Sequence, residues 1–215
     1  MADHTPYPEP QEPSVAFLLA EYQLLRERFI SLQQERVQRL NFFIALTLAC
    51  LGVVLYLGGT TRMRPDIFLL LVQVALLLLA AVGADLVMFL VMRERVIDRV
   101  ERGMARIRHY FVERDPGLAR YVILATSDES TLHVRNLKVM GLQRAAQVVQ
   151  GITVALAATL LAYLLNTPLY LSMGVGAVAF VVDYLALESY TRETLKQAAA
   201  QAQREANFPP AEKPA

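Results

Sequence analysis

Two aspartates lie inside otherwise apolar stretches, at corresponding positions. Asp85 comes late in the run 67–92, and Asp183 comes late in the run 169–187. An ionisable side chain at the centre of a membrane-spanning helix costs roughly 2.5 to 3.5 kcal/mol, which makes it a candidate for function. In an oligomer, a ring of such carboxylates would line a pathway and favour cations. Three glutamines are further polar candidates within the membrane: Gln73, Gln147 and Gln150.

Ion pairing is the structural alternative for both aspartates. Arg39 and Arg144 end the segments that enter the partner spans, at about the depth of the two carboxylates. Pairs of Arg39 with Asp85 and of Arg144 with Asp183 would make the carboxylates structural rather than functional. The glutamines have a similar alternative, because buried amides often form hydrogen bonds between membrane helices. The sequence leaves both alternatives open.

Arginines also follow the second apolar run, with Tyr110 and Phe111 beside them. Guanidinium groups bind phosphate and aromatic rings stack on bases, so this segment suits a phosphate-bearing ligand such as a short oligonucleotide. The alternative is that the arginines only mark the inner membrane face and attract anionic lipid. The candidate ligand-binding residues are Arg99, Arg102, Arg106, Arg108, His109 and Arg114.

Motifs for catalysis or metal binding are scarce in the sequence. His4, His109 and His133 are far apart and lack the spacing of a metal site. We find neither a phosphate-cradling glycine loop nor a serine-centred nucleophile motif. The single cysteine, Cys50, gives no disulfide framework. We therefore expect no enzyme activity, no cofactor and no bound metal.

The composition predicts a membrane protein. Hydrophobic residues make up 55% of the 215, the mean hydropathy is +0.35, and the apolar residues come in blocks. A helix needs roughly 20 residues to cross a bilayer. We expect an all-α membrane protein with four transmembrane helices in two hairpins. The predicted spans are 42–59, 67–92, 146–165 and 169–187.

Charged helical segments flank the spans, and two carry apolar stripes. Ser14 is the expected N-cap of a helix with Leu25, Phe29 and Leu32 on one face, and Ile97, Val100 and Met104 repeat that spacing after the second span. Both segments leave the same side of the membrane, so we expect the stripes to meet in a helical stalk; a seam between subunits is the alternative. The predicted segments are a disordered tail 1–13, an amphipathic helix 14–41, a first hairpin 42–92, a cytosolic helical segment 93–145, a second hairpin 146–187, and a C-terminal helix with a disordered tail 188–215.

The distribution of basic residues predicts the orientation. Arg62 and Arg64 are the only arginines or lysines in the two loops between paired spans. Under the positive-inside rule, both termini and the central segment are therefore cytoplasmic. We expect a multi-pass protein of the inner (cytoplasmic) membrane, in contact with the lipid bilayer. Small residues in the spans, such as Gly151 and Ala155, could close one compact bundle or assemble a homo-oligomer.

A family resemblance adds to this interpretation. The run 24–28 (LLRER), a second basic cluster ending in 39–43 (RLNFF), and a hairpin that continues into a charged helix resemble the small bacterial membrane effectors of the SLATT type, over roughly residues 15–114. The resemblance implies an oligomeric pore-forming or membrane-depolarising effector of anti-phage defence, gated from the cytosol by a nucleotide signal from a partner enzyme. It carries over no catalytic residue, and the second hairpin departs from the usual single one. The alternative function is a non-conducting scaffold or sensor whose stalk docks a partner protein.

Overall fold

The computed structural model describes residues 13–60, 64–128 and 141–206. Over these ranges the chain forms long helices and no strand, as predicted. The four helices are α1 (Pro13–Thr60), α2 (Pro65–Arg114), α3 (Gly141–Leu164) and α4 (Leu169–Arg204). Each has an apolar stretch long enough to cross a membrane. The chain is therefore an all-α, multi-pass membrane protein whose spans form two hairpins.

α1 and α2 continue without a break from the apolar into the charged segments. They have 48 and 50 residues, which at about 1.5 Å per residue makes each more than twice as long as the roughly 30 Å hydrocarbon core. The predicted boundary between residues 41 and 42 is therefore not a structural break. Ser14 is not the N-cap that was predicted, because α1 already begins at Pro13. Proline is tolerated there because the first N–H groups of a helix have no helical acceptor.

Residues that disfavour helix end these elements. Asp115 stops α2, and its side chain accepts a hydrogen bond of 2.9 Å from the Gly117 backbone N–H. A short 3-10 helix (Pro116–Arg120) follows, and residues 121–124 of the predicted cytosolic helical segment are irregular. Asn166 adopts a φ of 63° in the predicted turn between α3 and α4, a left-handed conformation that asparagine tolerates better than most residues.

α2 is the central helix and packs against α1, α3 and α4. It runs antiparallel to α1 over almost the full length of both, since Arg108 donates to the Tyr22 hydroxyl at one end and Gly58 lies against Phe68 at the other. It runs parallel to α4, where Val91 packs on Leu195. Both hairpins therefore contribute to one bundle.

The predicted apolar stripes meet. Leu32 of α1 forms a buried cluster with Ile97, Val100 and Met104 of α2, and Leu25 and Phe29 pack against it. The stripe of α1 is thus used within the chain. We call residues 13–41, 93–114 and 188–204 the stalk, because α4 joins the other two helices where the Arg102 guanidinium donates to the Ala202 carbonyl oxygen at 3.4 Å.

Ion pairs fix α1 to α2 where the stalk meets the spans. Arg36 pairs with Glu94 at 2.7 Å, with only 12% of each side chain exposed, and Arg93 pairs with Glu35 at 2.8 Å. Next to them, all four helices share one apolar cluster. Its members are Leu40, Phe43, Leu86, Val87, Leu90 and Ala146, with Leu187 packed against it.

Several predictions lie outside the described residues. These are the tails at 1–12 and 207–215, and residues 129–140 of the predicted cytosolic helical segment. The described residues of the predicted third span, 146–164, lie within α3, and the predicted polar helix after residue 187 continues α4 as far as Arg204.

Candidate functional site

Buried polar side chains run through the interior of the apolar bundle. α3 contributes them at intervals of four, three and three residues, which places them on one helix face. They are Gln143, Gln147, Gln150 and Thr153, each at most 6% exposed. Gln73 of α2 and Ser172 and Thr191 of α4 are buried as well. We call these residues, together with Asp183, the polar seam.

At the stalk end, the seam is a hydrogen-bonded cluster between α3 and α4. Gln143 and Gln147 both donate to the Thr191 hydroxyl oxygen, at 3.0 and 3.3 Å. Further along, the Gln150 side-chain N–H donates to the Ala80 carbonyl oxygen at 2.8 Å, which joins α3 to α2. Close packing permits this bond, because a Cβ at Gly83 would overlap the Gln150 amide oxygen. Gln147 and Gln150 thus form hydrogen bonds between helices, which is the structural alternative that the sequence left open.

Gln73 and Asp183 belong to the seam by their helix faces. Gln73 is buried and precedes Val91, which packs on Leu195 of α4, by 18 residues or five helical turns, so it lies on the inner face of α2. Asp183 lies between Phe180, which touches Gly151, and Leu187, which packs on the shared apolar cluster. It therefore faces α3. The predicted intramembrane residues other than Asp85 thus face the interior of the bundle, at different depths.

Several seam atoms make no hydrogen bond within the described part of the chain. The buried seam atoms without a hydrogen bond there are both amide atoms of Gln73, the side-chain oxygens of Gln147 and Gln150, and one carboxylate oxygen of Asp183. A buried polar atom without a partner costs about 1 to 3 kcal/mol and calls for an explanation. The seam therefore contains polar atoms that hold no helices together in this packing of the bundle.

Asp85 lies apart from the seam. It is exposed, in a groove of about 470 Å³ between α1 and α2 that Arg39 also lines. Among the described residues no ion pair joins Asp85 to Arg39. The Arg39 guanidinium instead lies 3.7 Å from the centre of the Phe89 ring and 3.7 Å from a Glu35 oxygen. When a guanidinium lies on the face of an aromatic ring, its other side remains solvated.

The second expected ion pair is also absent from the described residues. Asp183 faces α3 from α4, while Arg144 is exposed and makes no ion pair there. Arg144 lies two residues before Ala146, which is buried in the shared cluster. Two residues correspond to about 200° of helix rotation, so Arg144 faces away from the bundle interior.

Most of the candidate ligand-binding arginines bind other parts of the chain. Arg102 is 8% exposed and pairs with Asp98 at 3.2 Å and Glu205 at 3.6 Å. Arg106 pairs with Asp128 at 2.7 Å. Arg108 donates to the Ala125 carbonyl oxygen at 3.1 Å and Arg114 to the Tyr110 hydroxyl at 3.1 Å, His109 is half-buried, and Arg99 is exposed. The sequence could not foresee this, because Glu205 and Asp128 are distant in the chain.

A stalk cavity of about 550 Å³ lies beside two of these arginines. Tyr22 and Phe29 of α1 supply aromatic walls, and Arg26, Arg102 and Arg108 supply guanidinium groups. Asp98 and Glu101 also line it, so the lining carries both signs of charge. Sequence reasoning missed Arg26 as a site residue, because the cavity forms only when α1 packs on α2.

A second cavity, of about 630 Å³, lies among the spans beside the outer half of the seam. Its lining is apolar apart from a few side chains such as Thr47, Thr153 and Thr159. Among the described residues, no three histidine, cysteine or acidic side chains are grouped to hold a metal ion.

The chain matches no protein-family model, and neither the curated proteins nor the solved structures contain a significant match to it. The site itself therefore carries the functional argument.

Proposed function

We propose that this multi-pass protein is an ion-conducting membrane effector controlled from the cytosol, working as a homo-oligomer in the bacterial inner membrane with both termini cytoplasmic. The polar seam carries the proposal. Its α3 residues extend from Gln143 to Thr153 and, with Gln73 and Ser172, line much of the roughly 30 Å hydrocarbon core. Polar side chains in this position are costly, and they typically mark ion or substrate pathways.

Asp183 gives the proposed pathway its preference for cations. It is the only seam residue with a carboxyl group among the described residues, and one of its oxygens has no hydrogen-bond donor there. A carboxylate beside a narrow polar path attracts cations and repels anions. In the state described here the seam is closed, because its glutamines are almost fully buried.

Control from the stalk suits the way the helices are built. α1, α2 and α4 are each continuous from stalk to membrane, so a change in their packing at the stalk moves the spans as well. The stalk cavity offers aromatic walls and guanidinium groups to a ligand. A nucleotide signal made by a partner enzyme, as the family resemblance implies, is the ligand we propose for it, and anti-phage defence is the proposed setting.

Ion flux tests the proposal. Purified protein is placed in liposomes loaded with a potassium-sensitive dye, with and without nucleotide extracts of phage-infected cells. We expect flux to rise when extract is added to the native chain and to fall in Gln73→Leu, which removes a seam amide. The matched control Gln34→Leu changes an exposed stalk glutamine. Absence of flux from folded protein under every condition would overturn the proposal.

A non-conducting scaffold is the second candidate, and one observation favours it. After α2 the chain exposes Tyr121, Ile123 and Leu124, at 69%, 97% and 61%. These residues follow a stalk helix that extends roughly 33 Å beyond residue 92 at about 1.5 Å per residue, too far to touch lipid. Exposed apolar groups in water are typical of protein docking surfaces. Partner binding lost in Ile123→Ser, without any flux from the native chain, would support this function instead.

A further inference from the structure

Asp85 and Arg144 are opposite charges that the chain leaves without an ion-pair partner among its described residues. Both are exposed, and both lie where the spans meet the stalk. Three arginines at the same junction do have a partner: Arg36 pairs with Glu94, Arg93 pairs with Glu35, and Arg39 lies over the Phe89 ring. A lone charge facing lipid is unfavourable even near the end of a span.

The two side chains lie on opposite faces of the bundle. Gly83 of α2 faces α3, and Asp85 follows it by two residues, a rotation of about 200°. Ala146 of α3 packs on α2, and Arg144 precedes it by the same interval. α2 therefore presents the carboxylate on the side away from α3, and α3 presents the guanidinium on the side away from α2.

They also lie at similar depth. Gln150 packs against Gly83, which sets the register of the two antiparallel helices. Arg144 is six residues, about 9 Å, from Gln150 toward the stalk, and Asp85 is two residues, about 3 Å, from Gly83 in the same direction. The difference of about 6 Å is roughly one helical turn, which a long arginine side chain can span.

We propose that copies of this chain associate head to tail, with Asp85 of one copy paired to Arg144 of the next. Opposite charges on opposite faces at similar depth cannot meet within one chain, but they meet when a second copy lies alongside. Such a heterologous contact repeats from copy to copy, and it forms a ring when the rotation between copies divides a full turn. The inference rests on the homo-oligomer of the proposed function, and it is independent of whether the seam conducts ions.

The charges also favour this arrangement over a two-fold symmetric one. Two copies related by a two-fold axis through either patch would place Asp85 near Asp85, or Arg144 near Arg144, and like charges repel in this low-dielectric setting. Exposed apolar side chains surround both charges: Val82 and Met88 near Asp85, and Val148 and Ile152 near Arg144. They let neighbouring helices pack around the ion pair.

Cysteine cross-linking tests the contact directly. Cys50, the chain's single cysteine, is first replaced by alanine, and Asp85→Cys and Arg144→Cys are made separately. When the two variants are mixed in phosphatidylcholine vesicles and treated with a bismaleimide long enough to replace the arginine side chain, we expect covalently linked dimers. Each variant alone should give none, and the double variant should give a ladder of higher species. Dimers from Asp85→Cys alone, or no cross-link from the mixture, would overturn the proposal.

Charge reversal gives an independent readout. Asp85→Arg and Arg144→Asp should each raise the protein concentration needed for assembly by at least tenfold, with assembly followed as the oligomer mass in detergent. Both changes in one chain should restore the native concentration. Asp66→Arg and Arg28→Asp are matched controls on exposed residues away from the contact, and both should assemble normally. Failure of the double reversal to restore assembly, with both controls intact, would contradict the pairing.

The two proposals can fail separately. Native assembly and cross-linking without ion flux would leave the contact standing and remove conduction. Flux from a chain that stays monomeric at every concentration would support conduction and remove the contact.

Discussion

Gly83 of α2 lies directly against the side-chain amide of Gln150 of α3, whose N–H donates to the Ala80 carbonyl oxygen at 2.8 Å. This contact joins the two hairpins at the middle of the polar seam. Only glycine leaves room for the amide, because any Cβ would overlap its oxygen.

Gly83→Ala should therefore destabilise the bundle. A Cβ would displace the Gln150 amide, which ends a flexible side chain, and break its hydrogen bond to the Ala80 carbonyl oxygen. Loss of such a bond costs about 0.5 to 1.5 kcal/mol, and we expect a lower melting temperature in detergent. Gly52→Ala is the matched control, since a Cβ at Gly52 would meet nothing within 4 Å. Combining Gly83→Ala with Gln150→Ala removes the overlapping amide and should recover part of the loss. Equal melting temperatures for the two glycine variants would contradict this contact.

The Arg36–Glu94 ion pair should contribute more to the stability of the fold than the Arg64–Asp66 pair near the opposite membrane face. Both side chains are 12% exposed in Arg36–Glu94, against 79% and 78% in Arg64–Asp66. Breaking a largely buried pair leaves one charge without its counterion, which costs several kcal/mol when burial is complete. An exposed pair contributes about 0 to 1 kcal/mol. Glu94→Gln should lower the melting temperature clearly, and Asp66→Asn should leave it nearly unchanged; the reverse order would be inconsistent with the stalk junction described here.

Gln73→Leu should make the protein more stable while impairing flux. Both Gln73 amide atoms are buried without a hydrogen-bond partner among the described residues. Removing such a polar group recovers about 1 to 3 kcal/mol of desolvation cost. A higher melting temperature together with lower flux is the expected pattern, and Gln34→Leu should alter neither. Unchanged flux in Gln73→Leu would show that the residue is not part of a pathway.

Arg26→Ala should weaken nucleotide binding to the stalk. Arg26 lines the stalk cavity, while Arg28 is an exposed arginine two residues further along α1 that does not line it. A hydrogen bond to a charged group contributes about 1.5 to 3 kcal/mol, or at least a tenfold change in Kd. Calorimetric titration with the active nucleotide fraction would detect it. Equal affinity in Arg26→Ala and Arg28→Ala would remove this cavity as the ligand site.

The sequence predicted most of the fold, because its signals are local. The stripes of Phe29 and Val100 follow helix spacing, and apolar length fixed the spans. The docking of α4 on the stalk was not predicted, because its contact residues near Leu195 are small alanines without a clear stripe. The sequence could not decide whether Arg39 and Arg144 form ion pairs with the two aspartates, because such pairs depend on side-chain direction; among the described residues neither pair forms.

The site was predicted only in part. Gln73, Gln147, Gln150 and Asp183 stand out in the sequence because polar groups are rare inside spans, and the structure shows that their side chains are buried or half-buried. Gln143 was missed because it precedes the predicted third span, and Thr191 was missed because it follows the predicted fourth span. Their partnership is visible only when α3 and α4 pack, with the Thr191 hydroxyl accepting from Gln143 at 3.0 Å.

The reversal potential of Asp183→Asn across a planar bilayer, under a potassium chloride gradient, tests the central claim most directly. If the seam conducts and Asp183 faces it, the native chain will show a cation-selective reversal potential, and Asp183→Asn will move that potential toward zero. Asp85→Asn will weaken assembly and lower the current but leave the reversal potential unchanged, because Asp85 lies outside the seam. A current whose selectivity is insensitive to Asp183→Asn but changes in Asp85→Asn would contradict the account and place the pathway on the outer face of α2.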